Sequence, residues 1–449
     1  MKHILSKLRA FLALFLATAA CLTLAVPAFA DEGGENELTV ERCASAYLYN
    51  FENDEVLFEY NPSAEVHPAS TAKLMTAIVA FDEFEGKLDT KITITQEMLN
   101  EVSGNRIGFS VGEIVTVEQM LYCMLVNSAN DAAIILAHAT AGDTQSFVRM
   151  MNEKASWLGA FNTYYTNPTG MHDNAMVTTA RDTGIIAKYA YSIDGLVEMT
   201  STPKYVMEAT NMNDYRSIYN RNGLVSRYYL SDYFYSRAIG LNAGATSQGN
   251  YAVCGVAEDE AQGLTYLAVV LGAEEDEETG KIYSFINAIN MFDWAFDNYG
   301  MRTVLSASRA ICELPVNLSA TLDYVTLVPA NDITVFLPMS VDISKDIRYS
   351  YNTYSDSLDA PIEAGDEAGT ITVLYGEKIL GACPLVTTSS ITRSEFLSFL
   401  AKVKKFTKGR FFRGMIIAVI VLSVAYILIK ASIREKKLRR LGGGSIGRK

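Results

Sequence analysis

Two side chains that can do covalent chemistry stand three residues apart at the start of an apolar helical run: the hydroxyl of Ser70 and the amine of Lys73. Residues at this spacing share one face of a helix, so Lys73 can lie within hydrogen-bond reach of Ser70 and accept its proton. The amine must be neutral to do so, although an unperturbed lysine titrates near ~10.4. The pair therefore predicts acyl transfer by an activated serine in a site that depresses the lysine pKa.

A second pair of polar residues supports this interpretation. Ser128 and Asn130 follow the apolar stretch Leu125–Val126 and precede another apolar run. A Ser-x-Asn element of this kind can bridge the nucleophile, the base and a substrate amide. The interval between Ser70 and Ser128 leaves room for a small helical subdomain that would carry it.

These residues resemble the Ser-x-x-Lys and Ser-x-Asn motifs of the serine-type D-Ala-D-Ala carboxypeptidases, the low-molecular-mass penicillin-binding proteins that trim peptidoglycan stem peptides. The resemblance runs from about Ala44 to Val386. Its anchors are residues 69–76, 112–117, 128–133, 167–171 and 269–273. Several independent anchors in the expected order make a chance match implausible.

The resemblance implies a role for each residue. Ser70 would attack the penultimate carbonyl with Lys73 as its base, Ser128 would relay a proton to the leaving D-Ala, and Asn130 would hold the substrate amide. The backbone N–H groups of Ser70 and Ala245 would form the oxyanion hole. The implied partners are stem peptides ending in D-Ala-D-Ala, with β-lactam antibiotics as covalent inhibitors, and no cofactor.

The chain departs from the family where a Lys-Thr-Gly triplet is expected, since it reads Asn242-Ala243-Gly244. By position, Asn242, Gly244 and Ala245 would still line the substrate site. A neutral amide replaces the charged donor that a terminal carboxylate prefers. Losing one partner of a buried charged pair costs about 2 to 5 kcal/mol. The usual cation that helps depress the pKa of Lys73 is lost as well.

Arg237, five residues before the altered triplet, is one candidate for a replacement cation. The alternative, which the surrounding Tyr-rich loop favours, is that Arg237 is simply solvated. A further departure is Met176, where the family usually has histidine.

Two functions remain open at this point. The first is a working carboxypeptidase, and the second is a catalytically impaired relative that binds peptidoglycan or has a regulatory role. The retained Ser70, Lys73, Ser128 and Asn130 favour the enzyme. A β-lactamase is less favoured because no glutamate is placed to activate a deacylating water.

The N-terminus predicts export. Residues 1–30 combine basic residues, an apolar run and the small-x-small sequence Ala28-Phe29-Ala30, which is typical of a secretory signal peptide. A lipidated Cys21 is the weaker alternative, because Thr18 stands where lipoprotein signals prefer leucine. The net charge of -13 argues against a nucleic-acid binder.

Cysteine and histidine spacing predicts neither a disulfide framework nor a metal centre. The cysteines that follow the signal peptide are widely spaced and contain no Cys-x-x-Cys pair. His67, His138 and His172 show no ligand spacing, so we interpret them as packing or surface residues.

The C-terminus predicts a membrane anchor. Residues 415–429 are uncharged and apolar and lie between Arg413 and Lys430, which favours a single transmembrane helix over residues 414–433. With the signal peptide placing the body outside, the basic tail 434–449 would lie in the cytoplasm. Residues 391–413 form a basic amphipathic segment that could lie on the membrane surface or serve as a solvated linker helix.

The expected fold is α/β, a transpeptidase-like antiparallel sheet with a helical subdomain in residues 31–300. A hairpin should open the sheet between Cys43 and Tyr60, and a buried helix should run from Ser70 to about Phe84. Short alternating runs with glycine turns predict a separate small β domain in residues 303–390. Tyrosines crowd residues 205–235, where they could bind a ligand but are expected mainly to pack the loop.

Overall fold

The computed structural model of the protein describes residues 38–246 and 250–441. The predicted signal peptide lies outside these residues, as do Ser247 and residues 442–449 of the predicted tail. Within the described residues the chain divides into two compact units. One comprises the chain up to residue 259 with residues 265–295, and the other comprises residues 260–264 with residues 296 onward.

The elements of the first unit alternate between strands and helices. Its strands are β1 (Ser45–Asn50), β2 (Glu55–Tyr60), β3 (Lys91–Thr93), β4 (Ile114–Thr116), β5 (Lys204–Met207), β6 (Arg216–Tyr219), β7 (Ala238–Thr246), β8 (Asn250–Asp259) and β9 (Leu264–Ala273). Its helices are α1 (Ala72–Glu83), α2 (Gln96–Asn100), α3 (Val117–Asn127), α4 (Asn130–Ala141), α5 (Thr144–Leu158), α6 (Ala180–Tyr191), α7 (Asp194–Ser201) and α8 (Tyr283–Asn298).

A five-stranded sheet in the order β2-β1-β9-β8-β7 forms the frame of this unit. Strand β1 pairs antiparallel with β2 and with β9, and β7 pairs antiparallel with β8. Strands β1 and β9 are almost entirely buried, which explains their continuous apolar runs. The predicted hairpin between Cys43 and Tyr60 is confirmed, and β7 lies at one edge of the sheet.

The helices pack around a buried central helix. All residues of α1 from Ala72 to Ala80 are buried, because this segment is apolar on every side apart from Lys73 and Thr76. Thr116 caps α3 in a capping box with Gln119, which fixes where that helix begins. The predicted buried nucleophile helix is therefore confirmed, with its first turn tightened into a short 3-10 helix.

The second unit begins with a β domain. Its strands are β10 (Tyr299–Leu305), β11 (Cys312–Asn317), β12 (Tyr324–Pro329), β13 (Ile333–Pro338), β14 (Ile347–Thr353), β15 (Leu358–Asp359), β16 (Glu367–Tyr375) and β17 (Lys378–Thr387), with one short helix, α9 (Ile343–Asp346). Six strands form a sheet in the order β14-β16-β17-β12-β11-β15, and β10 pairs with β13. Alternating apolar side chains such as Leu327, Ile371 and Leu385 form its core. The predicted small β domain is present.

Two helices end the described chain, α10 (Glu395–Lys408) and α11 (Arg410–Leu441). Within α11, residues 410–437 are long and apolar enough to cross a membrane by length and composition. The predicted span, residues 414–433, falls inside this helix. On α10 the apolar side chains are exposed, among them Phe396, Phe399, Leu400 and Phe406. Both interpretations of the basic segment remain predictions.

Candidate active site

The candidate nucleophile, Ser70, lies in a tight turn that tertiary contacts hold in place. Ala69 adopts a left-handed backbone with φ of 50° immediately before it. The loop containing Gly170 lies against this turn, since a Cβ on Gly170 would be only 2.0 Å from the Ala69 carbonyl oxygen. Gly170 also has a positive φ of 73°, so both its conformation and its surroundings require glycine. The nucleophile is therefore positioned by close backbone packing.

Lys73 is buried beneath Ser70, with only 1% of its surface exposed. Its Nζ lies 3.3 Å from Ser70 Oγ and donates a hydrogen bond of 2.5 Å to the Thr169 carbonyl oxygen. Burial, and secondly the positive charge of Arg221, lowers the pKa of Lys73 to about 7. Near neutral pH a large fraction of the amine is thus neutral, with a lone pair available for the proton of Ser70.

Ser128 and Asn130 flank the junction between α3 and α4. Ser128 ends α3 in a left-handed conformation with φ of 56°, and Asn130 begins α4. Asn130 Nδ2 donates to the Ser103 carbonyl oxygen at 2.7 Å, while Asn105 Nδ2 donates to the Ser128 carbonyl oxygen at 3.1 Å. These bonds hold the junction against the loop around residues 103–105, and the first of them fixes the direction of the Asn130 side chain.

Strand β7 forms the opposite wall. A Cβ on Gly244 would lie 2.3 Å from Ser70 Cβ and 2.8 Å from its Oγ, so the strand backbone directly contacts the nucleophile. Gly244 and Ala245 both line the cavity in front of Ser70. Asn242 is different, because it is 2% exposed, does not line this cavity, and its Oδ1 has no hydrogen-bond partner among the described residues.

A cavity of about 460 Å³ connects these elements. It brings together five of the seven residues singled out from the sequence: Ser70, Ser128, Asn130, Gly244 and Ala245. Lys73 contacts Ser70 from the buried side, and Asn242 stays outside the lining.

Arg221 is the functional candidate that sequence reasoning missed. Among the described residues that line the cavity, it is the only lysine or arginine. Its backbone N–H donates to the Val126 carbonyl oxygen at 2.9 Å, which ties it to the end of α3 close to Ser128. The preceding residue, Asn220, is buried and its Nδ2 donates to the Thr200 and Thr202 carbonyl oxygens at 3.0 Å each. A cation is thereby held at the cavity although the triplet lysine is absent.

The suggested replacement cation, Arg237, does not reach this site. Its guanidinium pairs with Asp259 at 3.1 Å, and it is not among the residues that line the cavity. Arg237 immediately precedes β7, whose first residue pairs with Ala257 near the end of β8, so it lies at the opposite end of the strand from Gly244 and beside Asp259. Arg237 is therefore not the cation at this cavity, and the arginine that lines it is Arg221, from a different part of the Tyr-rich segment.

The two histidines nearest the nucleophile contact each other. The rings of His67 and His172 lie 4.2 Å apart in an edge-to-face arrangement, and His172 lines the cavity. His67 Nδ1 donates to the Met176 carbonyl oxygen at 2.8 Å, so its proton position is set by that bond. His172 is thus a cavity residue as well as a packing residue.

The Tyr-rich segment divides into two sets. One set packs within the fold through stacked pairs: Tyr205 on Tyr122 at 4.2 Å, Tyr233 on Phe285 at 5.0 Å and Tyr235 on Phe292 at 5.7 Å between ring centroids. The other set is exposed and comprises Tyr215, Tyr219, Tyr228 and Tyr229. Loop packing therefore explains only part of the segment.

Comparison with known proteins decides the family. The model of the D-alanyl-D-alanine carboxypeptidase family matches residues 35–275, which is more than half of the chain. The chain belongs to the D-alanyl-D-alanine carboxypeptidase family. Residues 299–393 match a second model, the C-terminal domain of penicillin-binding protein 5. The carboxypeptidase family thus accounts for both the catalytic-type domain and the β domain, and the protein is a serine-type D-Ala-D-Ala carboxypeptidase by family.

Individual relatives extend over most of the chain. DacF of Bacillus subtilis, a D-alanyl-D-alanine carboxypeptidase, is 27% identical over 390 residues, covering 85% of this chain and 94% of that protein. DacA of Escherichia coli, also named a D-alanyl-D-alanine carboxypeptidase, is 25% identical, covering 85% of this chain and 93% of that protein. The crystal structure of penicillin-binding protein 5 from Haemophilus influenzae matches with a TM-score of 0.56 at 22% identity, covering 80% of this chain and all of that one. The last comparison supports the fold.

Proposed function

We propose that this carboxypeptidase removes the terminal D-Ala from peptidoglycan stem peptides through an acyl-enzyme on Ser70. The observation that carries the proposal is the buried Lys73, whose Nζ lies 3.3 Å from Ser70 Oγ and whose pKa is lowered to about 7. A lysine in that state can act as a general base at neutral pH. The lost triplet lysine therefore does not remove the means of activating the serine.

In the proposed acylation, Ser70 Oγ attacks the carbonyl carbon of the penultimate D-Ala and its proton passes to Lys73. The N–H groups of Ser70 and Ala245 stabilise the negative charge on the carbonyl oxygen, a role that needs backbone alone. Ser128 relays the proton to the leaving nitrogen, and Asn130 Nδ2 or Oδ1 holds the peptide amide. Water then hydrolyses the ester, and a β-lactam would form the same ester without rapid release.

Arg221 takes over the recognition of the terminal carboxylate in this proposal. It is the guanidinium available at the cavity, and a guanidinium can bind a carboxylate through two parallel hydrogen bonds. The same charge helps to keep Lys73 neutral. One arginine thus covers two tasks for which the family uses the triplet lysine, and Asn242 needs to contribute nothing to either.

A rival proposal is a member that binds stem peptides but turns them over poorly. Its support is the neutral pair Asn242-Ala243 and the partnerless Oδ1 of Asn242, which leaves a buried polar atom unpaired close to the nucleophile. The two proposals differ in one measurable step, the formation of a covalent bond to Ser70.

We further propose that α11 anchors the enzyme in the cell membrane with the catalytic domain outside. Residues 410–437 satisfy the length and hydropathy of a span, and the predicted signal peptide would export the body of the chain. The anchored form should remain with membranes after an alkaline carbonate wash, and a chain ending at Lys408 should be released. Release of the full chain by the wash would contradict the anchor.

The enzymatic proposal is tested with the full-length protein in detergent. A fluorescent penicillin should label the wild type, and D-Ala should appear when a pentapeptide ending in D-Ala-D-Ala is added. Ser70→Ala should abolish both signals, whereas Ser63→Ala, an exchange of a serine that does not line the cavity, should leave them unchanged. Absence of both signals in the wild type would favour the rival proposal.

A further inference from the structure

A second cavity lies between the end of α1 and the outer face of α5, and no step of the proposed reaction uses it. This tryptophan cavity has a volume of about 500 Å³, and its lining includes Asp82, Glu83, Glu153, Lys154 and Trp157. None of its lining residues also lines the catalytic cavity. Asp82 follows Ser70 by 12 residues, roughly 18 Å along a helix. The two cavities are therefore separate sites.

Helical periodicity brings the lining residues together. Helix α5 buries one stripe of residues in the core, namely Phe147, Met151 and Ala155. A different stripe of the same helix lines the cavity, at the i, i+3, i+4 and i+7 positions: Met150, Glu153, Lys154 and Trp157. At the end of α1, Asp82 and Glu83 are exposed, while Val79 is buried and adds an apolar contact. The cavity is thus built on two helices rather than on loops, which suits a preformed site.

Trp157 is fixed in orientation and yet exposed. Lys154 Nζ lies 4.2 Å from the centre of the Trp157 ring, and the ring of Tyr189 meets the indole edge-on at 5.8 Å. Lys154 is itself held by Asp82 at 2.8 Å and by the Tyr189 hydroxyl at 3.0 Å. The tryptophan is nevertheless 70% exposed, although side chains of this type are highly buried on average. A fixed, solvent-facing indole offers a flat apolar platform to a ligand.

The charges of the lining disfavour an anionic ligand. Three carboxylates face one amine among the described residues of the cavity, and Lys154 is already paired with Asp82. The carboxylates of Glu83 and Glu153 have no hydrogen-bond or ion-pair partner among the described residues. They repel anions such as acidic stem peptides and phosphates. They also accept hydrogen bonds from hydroxyl and amide N–H groups.

A neutral ligand rich in hydroxyl groups matches this lining better than a cation does. Ion pairs with exposed carboxylates contribute little in water, and a cation already lies over the indole. A pyranose ring can use both features of the cavity. The C–H groups of its face pack on the indole, and its hydroxyl and N-acetyl N–H groups donate to Glu83 and Glu153.

We propose that the tryptophan cavity binds neutral sugar rings of a glycan strand, so that the protein holds the peptidoglycan polymer at a site separate from the one that takes a stem peptide. The volume of about 500 Å³ is in the range of small-molecule sites. Binding of the strand needs no turnover at Ser70. It keeps the stem peptides of the bound polymer at a high local concentration near the catalytic cavity.

The test is calorimetric titration of the full-length protein, in a detergent without a sugar headgroup, with a peptide-free tetramer of N-acetylglucosamine. The wild type should bind the tetramer, and Trp157→Ala should weaken binding at least about tenfold because the stacking face is lost. Trp157→Phe keeps an aromatic face and should stay within about threefold of the wild type. Phe161→Ala is the matched control, since Phe161 follows the same helix and is 78% exposed but does not line the cavity, and it should leave binding unchanged.

A double variant separates hydrogen bonding from charge. Glu83→Gln with Glu153→Gln keeps the acceptor oxygens and removes both charges, so the tetramer should still bind. No binding of the tetramer by the wild type, or equal binding by the wild type and Trp157→Ala, would overturn the inference. It would also be overturned if an oligolysine peptide bound more tightly than the tetramer and lost its binding in the double variant, because the cavity would then serve a basic partner.

The same variants distinguish this inference from the proposed function. Ser70→Ala should bind the tetramer as the wild type does, and Trp157→Ala should release D-Ala from a monomeric pentapeptide at the wild-type rate. A pentapeptide rate that falls in parallel with tetramer binding would overturn the separation of the two sites. D-Ala release without any tetramer binding would overturn only the glycan site and leave the proposed function standing.

Discussion

The two walls of the catalytic cavity differ in how many of the side chains expected from the family resemblance they carry. The helical wall carries the four side chains for which we propose a chemical role, namely Ser70, Lys73, Ser128 and Asn130. The strand wall, β7, carries Asn242 and Ala243 where the resemblance predicts lysine and threonine, but has Gly244 in contact with Ser70. The difference indicates which wall depends on side chains and which depends on backbone.

Backbone groups do not change with residue type, so β7 can lose its polar side chains and still present N–H groups next to the nucleophile. What the strand cannot replace is a positive charge. We propose that in this protein the charge comes from Arg221, whose backbone N–H is hydrogen-bonded to Val126 at the end of α3. We therefore expect substitutions on the helical wall to have the largest effects, and changes at the altered triplet to have the smallest.

The largest effect should follow from Lys73→Met. The substitution removes the only amine within hydrogen-bond distance of Ser70 Oγ among the contacts described, and rates of penicillin acylation should fall at least about 1,000-fold. Stopped-flow acylation measures this directly. Lys87→Met, at an exposed lysine just beyond α1, is the control and should stay within about twofold of the wild type. Retained acylation in Lys73→Met would place the base elsewhere.

Gly244→Ala probes the strand wall at its point of closest approach. The added Cβ would lie 2.3 Å from Ser70 Cβ, so the strand or the nucleophile must shift. A displacement near 1 Å at the reacting centre costs about 100-fold, and we expect a loss of that size in D-Ala release. Thermal unfolding of the same variant shows whether the fold survives. Normal turnover in a folded Gly244→Ala protein would show that β7 does not contact the reacting serine.

Arg221→Gln tests whether Arg221 is the cation that binds the substrate carboxylate. We expect kcat/KM for a pentapeptide to fall about tenfold, a discounted value because this side chain is solvent-exposed. Arg237→Gln is the matched control, since Arg237 pairs with Asp259 outside the cavity, and it should leave kcat/KM unchanged. Equal losses in the two variants would remove the distinction between these arginines.

The smallest effect is expected from restoring the triplet with Asn242→Lys and Ala243→Thr. Arg221 already supplies a cation, so the acylation rate should rise only a few fold, about as much as one partly screened charge contributes. A rise of about 100-fold or more in this double variant would mean that Arg221 does not compensate for the missing lysine. Penicillin acylation at a single pH suffices for the comparison.

The contrast between the walls also explains what the sequence could predict. Ser70 and Lys73 are three residues apart on one helix, and Ser128 and Asn130 flank one helix junction, so local spacing identifies them. Arg221 lies far along the chain from both motifs, and its place depends on a backbone hydrogen bond to the Val126 carbonyl oxygen. Its only signal is a charged residue between two asparagines, Asn220 and Asn222, close to the altered triplet.

The fold was predictable for similar reasons. The buried helix α1 and strands β1 and β9 are marked by apolar runs, and the β domain is marked by alternation and glycine turns. The position of the Arg237 guanidinium was not predictable, because it is set by a tertiary ion pair with Asp259 at the end of β8. Which tyrosines between residues 205 and 235 pack and which remain exposed depends likewise on contacts distant in sequence, such as Phe285 and Phe292.

The central claim is that a neutral Lys73 activates Ser70, and the pH dependence of penicillin acylation tests it most directly. A base with a lowered pKa is inactive while protonated, so the rate should rise with pH, reach half its maximum near the lowered pKa of Lys73, about 7, and then level off. In Arg221→Gln the half-maximum should move to higher pH, because a nearby positive charge no longer favours the neutral amine. A rate independent of pH between about 5 and 9, or no adduct on Ser70 at all, would contradict the account.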